Sequence, residues 1–573
     1  MKSGLYFTIS LLVLWVATVQ AVVFVDGSNG GAADGASWAT AYPTVQAGID
    51  AAEASGDDSV WVAAGTYEPT TGTDRFATFE LKSGIAVYGG FEGNERERSE
   101  RDWAVNVTVL SGDIGTVGVA NDNVYHVVSC TNATDAAIDG FTIQDGYADG
   151  PNMGTGGIPG QNSTSADAIV SGINHSAGGG IINFQSAASV RNCVISNNFG
   201  MKAGGAYNMV STVPRGSDSD PNPYFENCTF INNAASKRGG AVQNDVATHP
   251  TFVNCRFYDN ACDAKGGGMY NDFYCSPFLT NCVFAGNYSI MAGALGNDGT
   301  SSPTLSHCVF ANNEAWDKGA AIYNGSHSAT APANLPTIIN CISFGNKITT
   351  APGPADLEVW HDNFADITYS IIEEGYDGVG NLSSDPRFSD IANYDVSLLN
   401  SSPAIDAGSK VGSTSVDIDG VPRPLDGNND GLVLVDIGAH EYLSASSDTD
   451  GDGMLDEWES EYGYSPVAAG DGLLDSDGDG IADADESIAD TNPFDTNSLF
   501  LITGLTCESG TNQIVATASA RRQYGLLYCT NLTTGGWTVD LSQQDKAGTE
   551  EGVEFIHLSE ADPVFYRIQV SVP

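Results

Sequence analysis

Positive charge is what this chain has least of. Its 573 residues carry 22 Lys and Arg against 72 Asp and Glu, a formal net charge of −50 at pH 7, and an isoelectric point near 4.1. Such a surface repels phosphates, which excludes nucleic acid as a partner; it suits a soluble extracellular protein that collects divalent cations. Long apolar runs are equally scarce. The one at Leu5–Ala17 follows Lys2 and precedes a Val-Gln-Ala ending at Ala21, the pattern of a secretory signal peptide. No later run reaches the roughly 20 residues of a membrane helix. No cysteine stands directly after Ala21, which argues against lipid attachment, and no Cys-x-x-Cys occurs among the 11 cysteines, which argues against a thiolate metal site.

What is present is a repeat. Three residues before Cys193, Cys228, Cys255, Cys282, Cys308 and Cys341 stands an apolar residue: Val190, Phe225, Phe252, Leu279, Leu305 or Ile338. The residue just before each cysteine is Asn192, Asn227, Asn254, Asn281, His307 or Asn340, and two after come Ile195, Phe230, Phe257, Phe284, Phe310 or, as an exception, Ser343. Gly204, Gly239, Gly266, Gly293 and Gly319 stand 11 after the first five cysteines, and Asn208, Asn244, Asn271, Asn297 and Asn324 close the units, with a period of 26–27 residues where nothing is inserted.

Side chains alternate along a strand, so positions 0 and +2 share one face. Position −3 breaks that parity and faces inward only if the chain turns a corner between the two. Asparagine tolerates the positive φ that such a corner needs, and the Gly-Gly pair marks another. One unit cannot bury its apolar face alone, whereas stacking units about 4.8 Å apart buries a continuous core. The pattern therefore predicts an all-β parallel solenoid with six cysteines as a column of small core groups. Ile138, Phe141 and Ile143, and Ile367, Ser370 and Ile372, add degenerate units for a total of eight. Tyr147–Ala177 and Val210–Pro223 read as surface insertions. Cys262 with Cys275, and Cys507 with Cys529, are the candidate disulfides of an oxidising compartment.

Phrases such as NCVFAGN, NCRFYDN and GGGMYND resemble the right-handed parallel β-helix repeats of secreted bacterial, pectin-lyase-like proteins, and are similar to the GGA-I and F-x-x-N repeats of polymorphic membrane proteins. The resemblance spans about residues 22–445 and implies a right-handed parallel β-helix on a secreted or cell-surface protein, with an adhesive or glycan-binding role. Pro43–Ala54 has a helical period, read as a helix capping the open end. Strands are expected at Val60–Ala63, Phe79–Leu81, Ile85–Tyr88 and Thr108–Leu110, and YGGFEGNERERSERDW (from Tyr88) is expected as a surface loop. NSSPAIDAGS and DIDGVPRPLDGNNDGLVLVDIGAHEY resemble the closing segment of the same proteins. There Asp426, Asn428 and Asp430 have the spacing of calcium ligands without a Glu at the twelfth place, a pattern a solvated turn also satisfies.

The sharpest chemical signal follows. Asp448, Asp450 and Asp452 occupy positions 1, 3 and 5 of a 12-residue loop, with Gly453 at 6, Met454 at 7 offering its carbonyl, Asp456 at 9 and Glu459 at 12. Asp475, Asp477, Asp479, Gly480, Ile481, Asp483 and Glu486 repeat it. Calcium takes about 6–8 oxygens, needs a glycine for the sharp turn, and is closed in by a bidentate Glu. The loops lack long flanking helices and resemble the calcium repeats of thrombospondin type 3 and its bacterial relatives, so Ca2+ is the expected cofactor and its task is to stiffen a linker. From Leu499 the chain alternates as a small β-sandwich-like module, whose roughly 75 residues are too few for an outer-membrane barrel. The expected organisation is 1–21 signal, 22–129 cap and first coils, 130–400 β-helix repeats, 401–446 closing segment, 447–498 calcium loops and 499–573 β module, as a monomer.

Ligand candidates come from columns. Lys202, Lys237 with Arg238, Lys265 and Lys318 precede the glycine corner, interrupted by Met291, and Asp245, Asp272 and Asp298 follow the closing asparagine. Stacked, they form a positive ridge beside a carboxylate column that suits an anionic polysaccharide; alternatively, the cations neutralise the neighbouring aspartates. A polysaccharide lyase or glycoside hydrolase is the second reading, needing a base near a neutralised uronate or a carboxylate pair. His175, Arg215 and Trp360–Asp362 are candidates only by lying in or near insertions, and no catalytic constellation stands out. A structural envelope component is the third.

Overall fold

The computed structural model describes residues 22–30, 33–150, 174–210, 222–325, 335–350, 357–359, 366–428, 432–444, 448–466, 468–508, 510–533, 536–549, 552–559 and 563–571. The expected signal segment, Arg215, Trp360–Asp362, Asp430 and most of both insertions lie outside them. The chain forms two compact units, one running to Asp385 with Asp390–Val396 and the other made of Pro386–Ser389 and the chain from Ser397.

The first unit is a solenoid with four faces, parallel sheets of 11, 10, 7 and 9 strands. Each complete coil visits them in the same order. The Cys255 coil runs through Thr251–Val253, Arg256–Tyr258, Ala261–Lys265 and Met269–Asn271, and pairs with the coils before and after on every face. The first face adds Val22–Val25, Ser59–Ala63 and Ala86–Phe91 ahead of the eight units legible in the repeat.

The corners follow from residue chemistry. Asn192, Asn227, Asn254, Asn281, His307 and Asn340 adopt φ between +49° and +54°, the left-handed region that asparagine enters at least cost. A second corner, which the cysteine alignment missed, stands four residues after each cysteine at Asn197, Asn232, Asp259, Gly286, Asn312 and Gly345, with φ of +52° to +74°. Its signal was the asparagine that follows. Asn198, Asn233, Asn260, Asn287 and Asn313 bond along the stack, each donating its backbone N–H and side-chain amide to the next coil's Oδ1 at 2.9–3.2 Å. The closing asparagines form another such ladder, Asn183 to Asn324, at 2.7–2.8 Å. These ladders satisfy buried amides that would otherwise each cost about 1–3 kcal/mol. At the third corner the left-handed residue is Gly239, Gly266 or Gly319, but Ala203 and Ala292 take it in two coils. Counting 11 from the cysteine misplaces those two, because their third-face strands, Phe199–Lys202 and Tyr288–Met291, are one residue shorter.

The core is continuous from Val23 to Ile372. Phe230, Phe257, Phe284 and Phe310 stack at centroid separations of 4.3–5.0 Å, and the six repeat cysteines are buried with their thiols on backbone carbonyls. All 11 cysteines are free thiols, a correction to both candidate disulfides. Cys262 lies on the third face while Cys275 meets Thr248 beyond the fourth, and Cys507 and Cys529 sit in different sheets. Burial pushes the Cys255, Cys282 and Cys308 thiols well above the usual range, so they are protonated core groups.

Helix α1 (Val45–Ser55) begins at Thr44, whose hydroxyl accepts from the Ala47 N–H, and ends at Gly56. Val45, Ile49 and Ala52 close the end of the core beside Val23, Val25 and Val60. Gly48 allows this approach, since a Cβ there would stand 2.4 Å from the Val25 methyl. The segment expected as a plain surface loop differs. Gly89–Phe91 belong to a strand, Glu95 is buried and accepts the Glu92, Gly93 and Asn94 N–H groups, and Arg101 pairs with Asp139 at 2.8 Å.

In the second unit, α2 (Asp456–Tyr462) and α3 (Asp483–Ala489) each leave an acidic loop. The C-terminal module has antiparallel sheets of three and four strands around Ile514, Ala516, Tyr524, Leu526, Val553 and Phe555.

Candidate metal centre

The two acidic loops fold alike. Asp448 accepts the Gly451 and Gly453 N–H groups at 2.8 and 3.1 Å, and Asp475 accepts those of Gly478 and Gly480 at 2.8 and 3.0 Å. Gly453 and Gly480 have φ of +99° and +95°, which is why position 6 is glycine. Asp450 and Asp452, and Asp477 and Asp479, each accept the N–H two residues on. These turns converge the carboxylates: one oxygen each of Asp448, Asp450 and Asp452 lie within 4.8 Å of one another, as do those of Asp475, Asp477 and Asp479.

The twelfth residue is delivered by the helix that each loop enters. Glu459 is fully buried and both its oxygens lack a hydrogen-bond partner; Glu486 is 1% exposed and its Oε2 lacks one. Asp450 Oδ2, Asp477 Oδ2 and Asp479 Oδ2 are buried and unpartnered too. Orphaned carboxylate oxygens converging at a glycine turn fit a hard cation with oxygen ligands, whose charge would offset a desolvation cost of several kcal/mol per ion. Met454 places position 7 with its side chain buried beside Leu455 and Trp458, whereas the Ile481 side chain is half-exposed.

Position 9 carries hydrogen bonds of its own. The Asp456 carboxylate accepts the Thr449 N–H and hydroxyl at 2.8 and 2.7 Å, and Asp483 accepts those of Ser476 at 3.0 and 2.6 Å. Both clasp the loop's second residue, and their charges act on Glu459 and Glu486. The loops also lock together. Leu455 N–H donates to Ser487 Oγ, Trp458 Nε1 to the Thr491 carbonyl, and the Tyr464 hydroxyl to Asp483, while Tyr464 stacks on Trp458. Arg521 of the β module bridges Glu461 and Asp490, and Arg522 donates to the Ser487 and Ile488 carbonyls at the end of α3.

Burial first, then the charges of Asp450, Asp452, Asp456 and Asp471, push the Glu459 carboxyl from 4.5 to about 8. Burial and neighbouring aspartates push Glu486 to about 7, against a lowering bond from Thr491. Between about pH 4.5 and 8 the folded metal-free tail keeps a proton that the unfolded chain has released, so the stability that Glu459 contributes is fully present below 4.5 and is lost as pH rises through 8. Cation uptake near pH 7 is therefore expected to release protons. Calorimetric heats should then change with the buffer's ionisation enthalpy, and identical heats in every buffer would refute this.

The predicted cation column aligns as expected, Lys202, Arg238, Lys265, Met291 and Lys318 in register. Three of the cations reach the aspartate one coil ahead: Lys202 to Asp245 at 3.0 Å, Arg238 to Asp272, and Lys265 to Asp298 at 2.6 Å. All three aspartates are buried and Lys202 is 3% exposed. At Met291 the cation is missing, and Gly325 stands where the aspartate one coil ahead would be. Cation and carboxylate thus disappear together, which gives the column a structural task. His175 bonds through Nδ1 to Nε2 of buried His126 at 3.1 Å, and its ring packs edge-on to Phe76. In the closing segment Asp417, Asp419 and His440 converge, but Asp417 accepts the Asp419, Val421 and Glu441 N–H groups. Asn428 N–H donates to Asp406, which makes Asn428 part of a turn.

The folded loop after Phe91 presents Trp103, 43% exposed, between two clefts of about 420 and 470 Å3. The larger is lined by Thr142, Thr229, Asn192, Asn227 and Val194 of successive coils. Sequence reading missed it, because the tryptophan lies 89 residues before Asn192.

No helix among the described residues is long and apolar enough to cross a membrane. No curated protein matches the chain. A family model described as a right handed beta helix region matches residues 180–368. With the stacked parallel sheets on all four faces, this match identifies the solenoid as a right-handed parallel β-helix.

Proposed function

We propose that this is a secreted or cell-surface protein whose β-helix binds extracellular glycan and whose tail is stiffened by two calcium ions. The observation that carries the calcium reading is Glu459, a fully buried carboxylate with neither oxygen partnered, set among loop aspartates. Asp448, Asp450, Asp452 and Glu459 would hold one ion, and Asp475, Asp477, Asp479 and Glu486 the other.

The glycan reading is supported by the fold and by the cleft at Trp103. An indole lining the same cleft as hydroxyls and amides offers a sugar both an apolar platform and hydrogen bonds. Thr142 and Thr229 share one slot on either side of Val194, and Asn192 and Asn227 follow one another beside it, a row that suits a linear polymer. The charge of −50 and the internal pairing of the Lys202 column favour a neutral glycan over an anionic one.

The test is retention on immobilised neutral and anionic glycans, with and without calcium, alongside ultraviolet detection of unsaturated sugar ends. Wild type is expected to be retained on a neutral polymer, and Trp103→Ala to lose that retention about tenfold or more with unchanged melting. Equal retention of the two proteins would remove the cleft from the account, and unsaturated ends would replace binding with eliminative cleavage.

A further inference from the structure

We propose that Asp471, which lies outside both 12-residue loops, is a ligand of the first calcium, so that the two sites are unequal. The inference rests on the calcium reading above and adds to it a residue that the loop pattern does not contain.

Asp456 and Asp483 at position 9 hold Thr449 and Ser476 through both oxygens. In the first site another carboxylate is at hand. Asp452 Oδ2 accepts the Gly472 N–H at 2.8 Å and the Gly470 N–H at 3.4 Å, which folds residues 470–472 against the loop. A Cβ on Gly472 would meet the Asp452 carbonyl at 2.5 Å, so this approach requires glycine. Asp471 is thereby held at the loop with Oδ1 buried and unpartnered. Its charge is among those felt by Glu459, and its own carboxyl is raised by burial and by the neighbouring Asp452 and Asp450. The second, independent sign of a ligand is Glu459 itself, wholly buried with both oxygens unpartnered. Asp448, Asp450, Asp452, a bidentate Glu459, a backbone carbonyl and Asp471 bring the shell within the roughly 6–8 oxygens calcium takes.

The second site has no counterpart among the described residues. The residue 12 beyond Glu486, as Asp471 is 12 beyond Glu459, is Ser498, whose hydroxyl accepts the Asn492 N–H. Thr491 also donates to Glu486 Oε1 at 3.1 Å, which occupies one oxygen of the closing carboxylate. Affinity rises with the number of charged ligands, so the first site is the tighter one and Asp471 is the reason.

The experiment is calcium titration by calorimetry on the full chain, comparing wild type, Asp471→Asn and, as a control on the second loop, Asp475→Asn. Wild type should show two sites of different affinity. Asp471→Asn should weaken the tighter one about tenfold or more and leave the weaker unchanged, and Asp475→Asn should do the reverse. If wild type binds two ions and Asp471→Asn matches it at both, Asp471 is no ligand while the calcium reading stands. If wild type binds none, both fall. Should the Asn variant fail to fold, Asp471→Glu and Asp471→Gln, equal in size, make the comparison: Glu should bind more tightly at the first site, and equal affinity overturns the proposal.

Discussion

Withdrawing calcium from the intact protein should unfold its tail before its β-helix. Two ions held at about 100 times their dissociation constants would contribute roughly 2.7 kcal/mol each, about 5 kcal/mol together. That is a large share of what a small segment has. The only shared apolar cluster under the two loops is small, Met454, Leu455 and Trp458 with Tyr462, Tyr464 and Ala484 beside it, among the described residues. Without the ions, the charges of Asp450, Asp452 and Asp471 crowd Glu459, which stays buried only by keeping its proton. Calorimetry with calcium and with a chelator should separate a low, calcium-dependent transition from a high one that does not move, and proteolysis of the chelated protein should cut within residues 447–498. Glu459→Gln and Glu486→Gln should each remove one ion and about half of the shift. A tail that melts at the same temperature with and without calcium would rule out its role as a stiffener. The effect should extend to the β module, because Arg521 and Arg522 grip α2 and α3 through Glu461, Asp490 and the Ser487 and Ile488 carbonyls.

Replacing Lys202 by Ala should destabilise the solenoid by about 3–5 kcal/mol, the usual cost of breaking one buried pair from one side. Asp245 would be left fully buried, with its Oδ1 already unpartnered and Oδ2 held only by Tyr207 and a longer bond from Gln243. The chain itself supplies the rescue. Met291 and Gly325 occupy the same two slots further along the stack, so Lys202→Met with Asp245→Gly should recover most of the loss, although each single change is costly. Denaturant unfolding of the two singles and the double completes the cycle. If the double loses as much as the sum, the two side chains act independently and the column is not a set of coupled pairs. Because each coil of a solenoid interacts chiefly with its neighbours, the damage should be local, seen as faster amide exchange around the Cys193 and Cys228 coils.

The period of 26–27 residues, the inward cysteine and the corner asparagine were all legible in the chain. Each is a local property: side-chain alternation assigns the slots, and positive φ selects Asn or Gly where the strand must turn. The loop aspartates were legible for the same reason, since a 12-residue turn brings its own residues together wherever it sits. Tertiary structure decided what those residues touch. Lys202 and Asp245 are 43 residues apart and meet only because the cation reaches one coil ahead. Asp456 fits the pattern of a ligand and also holds Thr449, whereas Asp471 matches no pattern and is brought to the first loop by the Asp452 bonds to the 470–472 backbone. Trp103 likewise gained neighbours such as Asn192 only by the stacking of coils. A repeating sequence thus determines the scaffold, because backbone geometry and burial act over a few residues. The direction of each polar side chain depends on partners supplied by other coils, and those are set only when the stack closes.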